Sequence, residues 1–489
     1  MKTVKEPAKE LPVVIEADVV VIGGGPAGVG AAVRAARAGA KTYLIERFGS
    51  LGGTMTNGYV ACVRKFGPLA MELMERLEAG GWSCESMADW PDQLLSHICH
   101  NGKQSLNEPT KYRGPEALHW YFVNFDPDMM ACVMNDVCEE AGVNLSFRNS
   151  FVDCIVENGS IQYVVVENPG GRQAIKGKVF IDCSGRGDVV ARSGSPYRSQ
   201  GAEDGWGFMA PGLMYKMSNV DIAKVFDYER RDPQLQVAME KARVWNECPH
   251  YHKKQTPEQM KALGTYYNGW HTGHPSLEMM PWLYPGDLML WSIPPYEMKL
   301  NPCESVEDAT NVEIQSRKEI RDEIKFLKKY VPGFENANLA GISPMCGLRE
   351  GRHPLGEYIY QWEDLINGRK FDDCVMRMTP HPSKGNIVVH SEKDAPTKKL
   401  VSLEFPKGVF LASGVDNLVL AGDNMSIDWR IYAQLKGFGQ AMSTGEVAGL
   451  MAAEAVKDQV KVKNVEMDPY IVDFRYHPEN RDYHLDVED

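Results

Sequence analysis

The stretch Val19–Gly28, VVVIGGGPAG, constrains this chain more than any other. Its leading run is apolar at every position, as in a strand of a parallel sheet covered by helices on both faces. It passes into a loop in which Gly23, Gly25 and Gly28 fit GxGxxG, with Pro26 and Ala27 between the last two. Gly28 to Ala38 then reads as a helix of small residues, ended by Gly39. Strand, glycine loop and opening helix form the context in which this pattern holds a dinucleotide. The first glycine makes the tight turn, the second lets backbone approach a pyrophosphate, and the third lets the helix pack on the strand. The helix N-terminus adds free N–H groups and partial positive charge. KTYLIE, residues 41–46, reads as the second strand of a βαβ start. Glu46 stands 18 positions after Gly28 (46 − 28). A carboxylate there accepts both hydroxyls of an adenosine ribose and repels a 2′-phosphate, which disfavours NADP.

Further stretches favour FAD over NAD. In ERFGSLGGT, Arg47 follows the acid, and Gly52, Gly53 and Thr54 bring backbone close to a second part of a long cofactor. Ile181–Gly185 ends a buried strand with Ser184 and Gly185, returning the chain toward the adenine half. Leu420–Asp423 places Gly422 and the Asp423 carboxylate at a strand end, suited to a polyol such as ribityl. Residues 437–456, with Gly439 and Gln440 near their start, form a Gly- and Ala-rich helix whose N-terminus suits the pyrimidine edge of a reduced flavin. One GxGxxG loop argues against a separate NAD domain.

The chain has 489 residues, 43% of them apolar, enough for a large core. A net charge of −13 disfavours nucleic-acid or anionic-membrane partners. The 11 cysteines include no CxxC pair, so no zinc or iron–sulfur ligand set is expected and metal is assigned to none. The first 12 residues lack an apolar core, and no apolar run would span a bilayer, so the expectation is a cytoplasmic protein. Residues 1–14 read as a polar arm. The spacing predicts a helix over 128–141, a strand over 143–147, a hairpin around Asn158-Gly159, and a strand over 179–182. From about 200 to 400, Trp, Tyr, Pro and Met crowd together, broken by an amphipathic helix over 304–330. The expected fold is α/β: a Rossmann-like FAD-binding domain (15–200 and 401–458) with an inserted α+β substrate or cap domain (201–400) and a tail (459–489).

GGGPAG, ERFGSLGG, DCSGRGD, GLREGRHPLGEY and GQAMSTGEVAG follow one another from residue 23 to residue 449. In this order they resemble the FAD-dependent oxidoreductase family of bacterial proteins, within the glutathione-reductase-type FAD-binding fold. The resemblance covers about residues 15–455. It implies FAD and redox chemistry without naming a reaction. It also places the arginine motif near the active centre, although His353 stands where such proteins often carry a further arginine.

Oxidising a CH–OH or CH–NH group requires a base for one proton as hydride moves to the flavin. His353 is ranked first for that role and His271 second, each against a structural role. Arg349 and Arg352 suit a bidentate grip on a substrate carboxylate, against a buried pairing with Glu350 or Glu357. Arg430, before the glycine-rich helix, suits the flavin edge, against a surface ion pair. MLWSIP, residues 289–294, echoes part of a halogenase signature and is read as chance. The expected activity is hydride transfer between FAD and a small polar organic substrate. The alternatives are a flavin-dependent monooxygenase or halogenase, and an electron-transfer subunit. The electron acceptor or donor, and association with a second copy of the chain, stay open.

Overall fold

The computed structural model describes residues 2–5, 7–63, 67–83, 123–199, 211–222, 224, 278–281, 284, 286–292, 303–348, 351–379, 403–428, 431 and 437–473. The valine-rich stretch is a strand, Val13–Ile22, at the centre of the main sheet. It pairs in parallel with Thr42–Glu46 on one side and Gly171–Asp182 on the other. Asn144–Phe147 extends the sheet beyond Thr42–Glu46, also in parallel. Side chains alternate along the first strand, so both faces are apolar. Val19 and Val21 join the core under the helices. Val20 and Ile22 join Ile161, Ile175 and Phe180 on the other face.

The strand predicted over 179–182 is the end of a longer one, Gly171–Asp182. Its first half pairs antiparallel with Ser160–Asn168, the second arm of the expected hairpin. Its second half pairs in parallel with Leu418–Leu420. The hairpin turns at Asn158 and Gly159, whose φ values are 51° and 76°. Asn417 stitches the two halves together. It accepts from Ile161 N–H (2.8 Å) and donates to the carbonyls of Ile161 (2.8 Å) and Lys178 (3.0 Å). The long strand also explains why the first strand begins at Val13, inside the expected polar arm. Val13 pairs with Ala174 at the start of the same parallel ladder, across an irregularity before Ile15.

Helices Pro26–Arg37 and Phe438–Asp458 touch backbone to backbone. A Cβ at Gly30 would strike the carbonyl oxygen of Met442, one at Gly445 that of Ala27, and one at Gly449 that of Ala31. The small residues read as a packing signal are therefore what lets both helices crowd over one face of the sheet.

The middle of the chain holds a four-stranded antiparallel sheet in the order Glu278–Pro281, Leu288–Ser292, Leu213–Ser218, Asn338–Ile342. Leu213, Tyr215 and Met217 pack with Leu288 and Leu290 against Val312, Ile320 and Leu327 of the helix Val306–Tyr330. Met214 and Met289, on the opposite face, join the first core.

The packing departs from the expected division at residue 401. Tyr360, Trp362, Leu365, Val375 and Met376 belong to the first core. Cys374–Thr379 lies between Leu403–Pro406 and Tyr470–Asp473 in a three-stranded sheet. A strand from the expected tail thus closes that sheet, and its Tyr470 hydroxyl donates to buried Glu446 of the glycine-rich helix (2.7 Å). These pairings join segments distant in sequence, so residue texture could not reveal them. Among the described residues no helix is long and apolar enough to cross a membrane.

Candidate functional site

The parallel strands end together at Ile22, Glu46, Asp182 and Leu420, and a cleft partly open to solvent lies beyond those ends. Ligands of open α/β sheets bind at this position. Of the sequence-predicted cofactor residues, Gly23, Gly25, Pro26, Ala27, Glu46, Arg47, Gly53, Thr54, Ser184, Gly185, Gly422 and Asp423 line it.

Each glycine of the opening loop has a distinct reason. Gly23 has φ +100°, and a Cβ there would strike the Cys183 carbonyl. Gly28 lies behind the lining, where a Cβ would collide with the Gly23 carbonyl oxygen. Gly25 has nothing within 4 Å of a built Cβ. Its missing side chain therefore leaves open space against a ligand-binding backbone. Gly52 is also behind the lining and ties the second glycine pair to the first, its N–H donating to the Gly24 carbonyl (2.7 Å).

Two helix N-termini open on this cleft. Helix Pro26–Arg37 starts from Gly25 and helix Phe438–Asp458 from Gly437, neither with a side-chain cap. Pro26 and Ala27 of the first, and Phe438 and Ala441 of the second, line the cavity. Uncapped first-turn N–H groups want an acceptor, and the helix dipole favours a negative one. Gly439 and Gln440 lie within the second helix, buried behind its lining residues.

Glu46 is 5% exposed. Its carboxylate accepts from Gly24 N–H (2.6 Å) and Phe48 N–H (2.8 Å). Two bonds use about half of a carboxylate's acceptor capacity. The rest of Glu46 serves the cavity it lines.

Asp182, unassigned from sequence, organises the next wall. Its Oδ1 accepts from Ser184 N–H (3.0 Å), Ser184 Oγ (2.6 Å) and Asn424 Nδ2 (2.8 Å). Its Oδ2 accepts from Val189 N–H (3.0 Å) and Val190 N–H (3.1 Å) at the start of the helix Asp188–Ser193. Burial pushes its carboxyl up to about 6, against the pull of Ser184 and Val190. The turn it holds contributes Cys183, Ser184, Gly185 and Arg186 to the cavity. An aspartate two residues before a serine in a glycine-rich turn is the sequence signal that would have found this hub. Arg186, Met345 and Leu348 were also missed. The first stands in the same turn, and the other two come from beyond the middle sheet.

Other expectations are redirected. Arg352 lies outside the lining, and among the described residues its partners do not include Glu357; Glu350 lies outside them. Its Nη1 donates to Asp188 Oδ1 (2.9 Å) and to the Arg186 carbonyl (3.1 Å), and its Nε faces Glu304 (3.3 Å). The guanidinium is thereby committed to bracing the Arg186 turn instead of gripping a substrate. His353 also lies outside the lining, in a short antiparallel pair opposite Arg198. Burial, then the Arg198 charge, lowers its basicity. Arg349, His271 and Arg430 lie outside the described residues. Of the 12 histidines, His353 alone is described.

The cleft fits FAD on its own terms: an open glycine cradle, a buried acid at the second strand end, two uncapped helix N-termini and apolar Phe48, Met345 and Leu348. Leghemoglobin reductase of Glycine max is 58% identical over 48 residues, 10% of this chain and 9% of that protein. The chain thus spans about a tenth of the length of that relative. Thiamine thiazole synthase of Desulfosudis oleivorans is 32% identical over 178 residues, 34% of this chain and 66% of that protein. Among solved structures, a geranylgeranyl bacteriochlorophyll reductase-like protein from Thermoplasma acidophilum aligns with a TM-score of 0.43 and 12% identity, covering 91% of this chain and 80% of that one. The family model described as FAD dependent oxidoreductase matches residues 18–474. The chain therefore belongs to the FAD-dependent oxidoreductase family.

Proposed function

We propose that FAD lies extended along the cleft and that the enzyme transfers hydride between the flavin and a small polar organic substrate. The observation that carries this reading is the pair of uncapped helix N-termini opening on one cavity. In this reading, Glu46 holds the adenosine ribose and the Gly23–Gly28 loop holds the diphosphate. Asp423, beside Gly422, accepts from the ribityl chain. Arg47, Gly53, Thr54, Ser184 and Gly185 line the path between them. Gly28, Gly52, Gly439 and Gln440 shape that path from behind. The N-terminus of Phe438–Asp458 stabilises negative charge at the far end. Bound FAD supplies reversible two-electron hydride exchange. Met345 and Leu348 bring apolar surface that excludes water.

The division into domains follows the packing. Residues 13–63, 67–83, 123–199, 351–379, 403–428 and 437–473 build the cofactor half, and the middle sheet with helix Val306–Tyr330 caps it. His271 serves as proton relay, Arg349 as substrate clamp and Arg430 at the flavin edge; all three fall outside the described residues. The partners of this reading are a small molecule and an electron donor or acceptor, in the cytoplasm. The net charge of −13 sets nucleic acid aside.

The test is a visible spectrum of purified protein, before and after reconstitution with FAD, then an anaerobic screen of small alcohols, amines and acids. A bound flavin bleached by one substrate class supports the reading. Protein that stays colourless after reconstitution ends it, and oxygen uptake with substrate hydroxylation moves the reaction to a monooxygenase. Glu46→Ala lowers FAD occupancy; unchanged occupancy removes Glu46 from the ribose site.

A further inference from the structure

Arg186 and Arg352 meet in one turn but are treated oppositely. Arg352 is neutralised by Asp188 and Glu304. The Arg186 guanidinium, half-buried against the cavity, has no hydrogen-bond or ion-pair partner among the described residues. A guanidinium keeps its charge in proteins and presents five N–H donors. With no protein group to meet them, those donors are open to an anion in the cavity. The charge is felt: burial, then the like charge of Arg47, lowers Arg186 from its ordinary value.

The sheet order says where the missing anion lies. The first strand stands between Thr42–Glu46 and Gly171–Asp182. Its glycine loop and helix N-terminus are therefore flanked by Arg47, following one neighbour, and by Arg186, four residues beyond the other (186 − 182). Both arginines line the same cavity. Arg47 rests over the Phe48 ring, 5.0 Å from its centroid. A group with two negative charges, set over the loop between them, removes their repulsion and satisfies Arg186.

We infer that Arg186 clamps the cofactor's diphosphate from the side of the loop opposite Arg47, and so makes the site select for a dinucleotide diphosphate over the bare flavin. This rests on the FAD reading above. Arg352 is a positioning residue in this account, holding the Arg186 carbonyl so that the side chain stays at the cavity.

The experiment titrates apoprotein with FAD, with ADP and with riboflavin, which lacks phosphate, in wild type and Arg186→Gln, with melting curves as the folding control. The expected result is FAD and ADP binding weakened about 10- to 100-fold and riboflavin binding unchanged. Unchanged FAD and ADP affinity overturns the inference, as does an equal loss for riboflavin, which marks a structural role. Should Arg186→Gln not fold, the salt dependence of ADP binding to wild type decides. A steep fall in affinity with salt supports the clamp, and a flat response overturns it. Wild-type protein that binds no FAD sinks the cofactor reading itself, an outcome distinct from every result with the variant.

Discussion

Two buried acids, Asp182 at the wall of the cleft and Glu323 in the helix beside the middle sheet, are buried on different terms. In the cofactor half, Asp182 is fully buried and meets five donors, while two helices start at the cleft from glycine N-caps that supply no side-chain cap. In the cap half the helix Val306–Tyr330 is capped: Ser305 Oγ accepts from Asp308 N–H (3.1 Å). Yet on its inner face it buries Glu323, 5% exposed, with no hydrogen-bond partner for either oxygen among the described residues. Tyr215 approaches and favours the charge weakly, but burial dominates and pushes Glu323 up to about 8. Asp182, then, is a buried acid whose oxygens are both met, at the wall of the cleft. In the cap half the unsatisfied group is sealed inside the core, where stability carries the cost.

The largest effect that would break this contrast is at Asp182. Asp182→Ala leaves Val189 N–H, Val190 N–H and the Asn424 amide without their acceptor. It is expected to cost about 3–5 kcal/mol, with loss of bound flavin. A denaturant titration showing a loss under about 1 kcal/mol would mean that the network follows the turn instead of making it.

Gly25→Ser comes next. Its φ of −68° suits any residue, and nothing stands within 4 Å of a Cβ, so the fold should hold while the side chain caps the helix and fills the cradle. FAD affinity should fall about 10- to 100-fold with melting of the apoprotein unchanged or raised. Equal FAD affinity would show that the uncapped end is not used by ligand.

Glu323→Gln probes the other acid. A carboxyl raised above its unfolded value favours its neutral form in the folded state. That contribution is complete below pH 4.5 and is lost as pH rises through 8. Glutamine removes the ionisation, so variant and wild type should match at pH 4 and diverge above it, the variant gaining on the order of 3 kcal/mol at pH 7. A variant less stable at pH 7 would mean that the charge has a partner. The smallest effect is Ser305→Ala, about 1 kcal/mol from the lost cap, with FAD affinity untouched, since this helix end faces no ligand.

Much of the site was legible. The glycine loop, Glu46, Ser184-Gly185 and Gly422-Asp423 reach one cavity because each stands at or just past a strand end, and Gly53-Thr54 joins them from the short helical turn after the second strand. The arginine motif was not legible in the same way. Whether Arg352 faces a substrate or an acid depends on Asp188, 164 positions away. Nothing near either residue states that distance in space.

The sequence by itself determined the parallel sheet, the glycine cradle, the dinucleotide-sized site and, through its ordered motifs, the family. Those follow from short-range periodicity and from backbone conformations that few residues besides glycine tolerate. Only the tertiary structure decided which buried charges are matched. It tied Asp182 to Asn424 across 242 positions, withdrew Arg352 and His353 from the cavity, and left Arg186 facing it. A charge's partner is chosen by which chain segments fold against each other, and that choice is a property of the packed core, with no trace in the residues beside the charge.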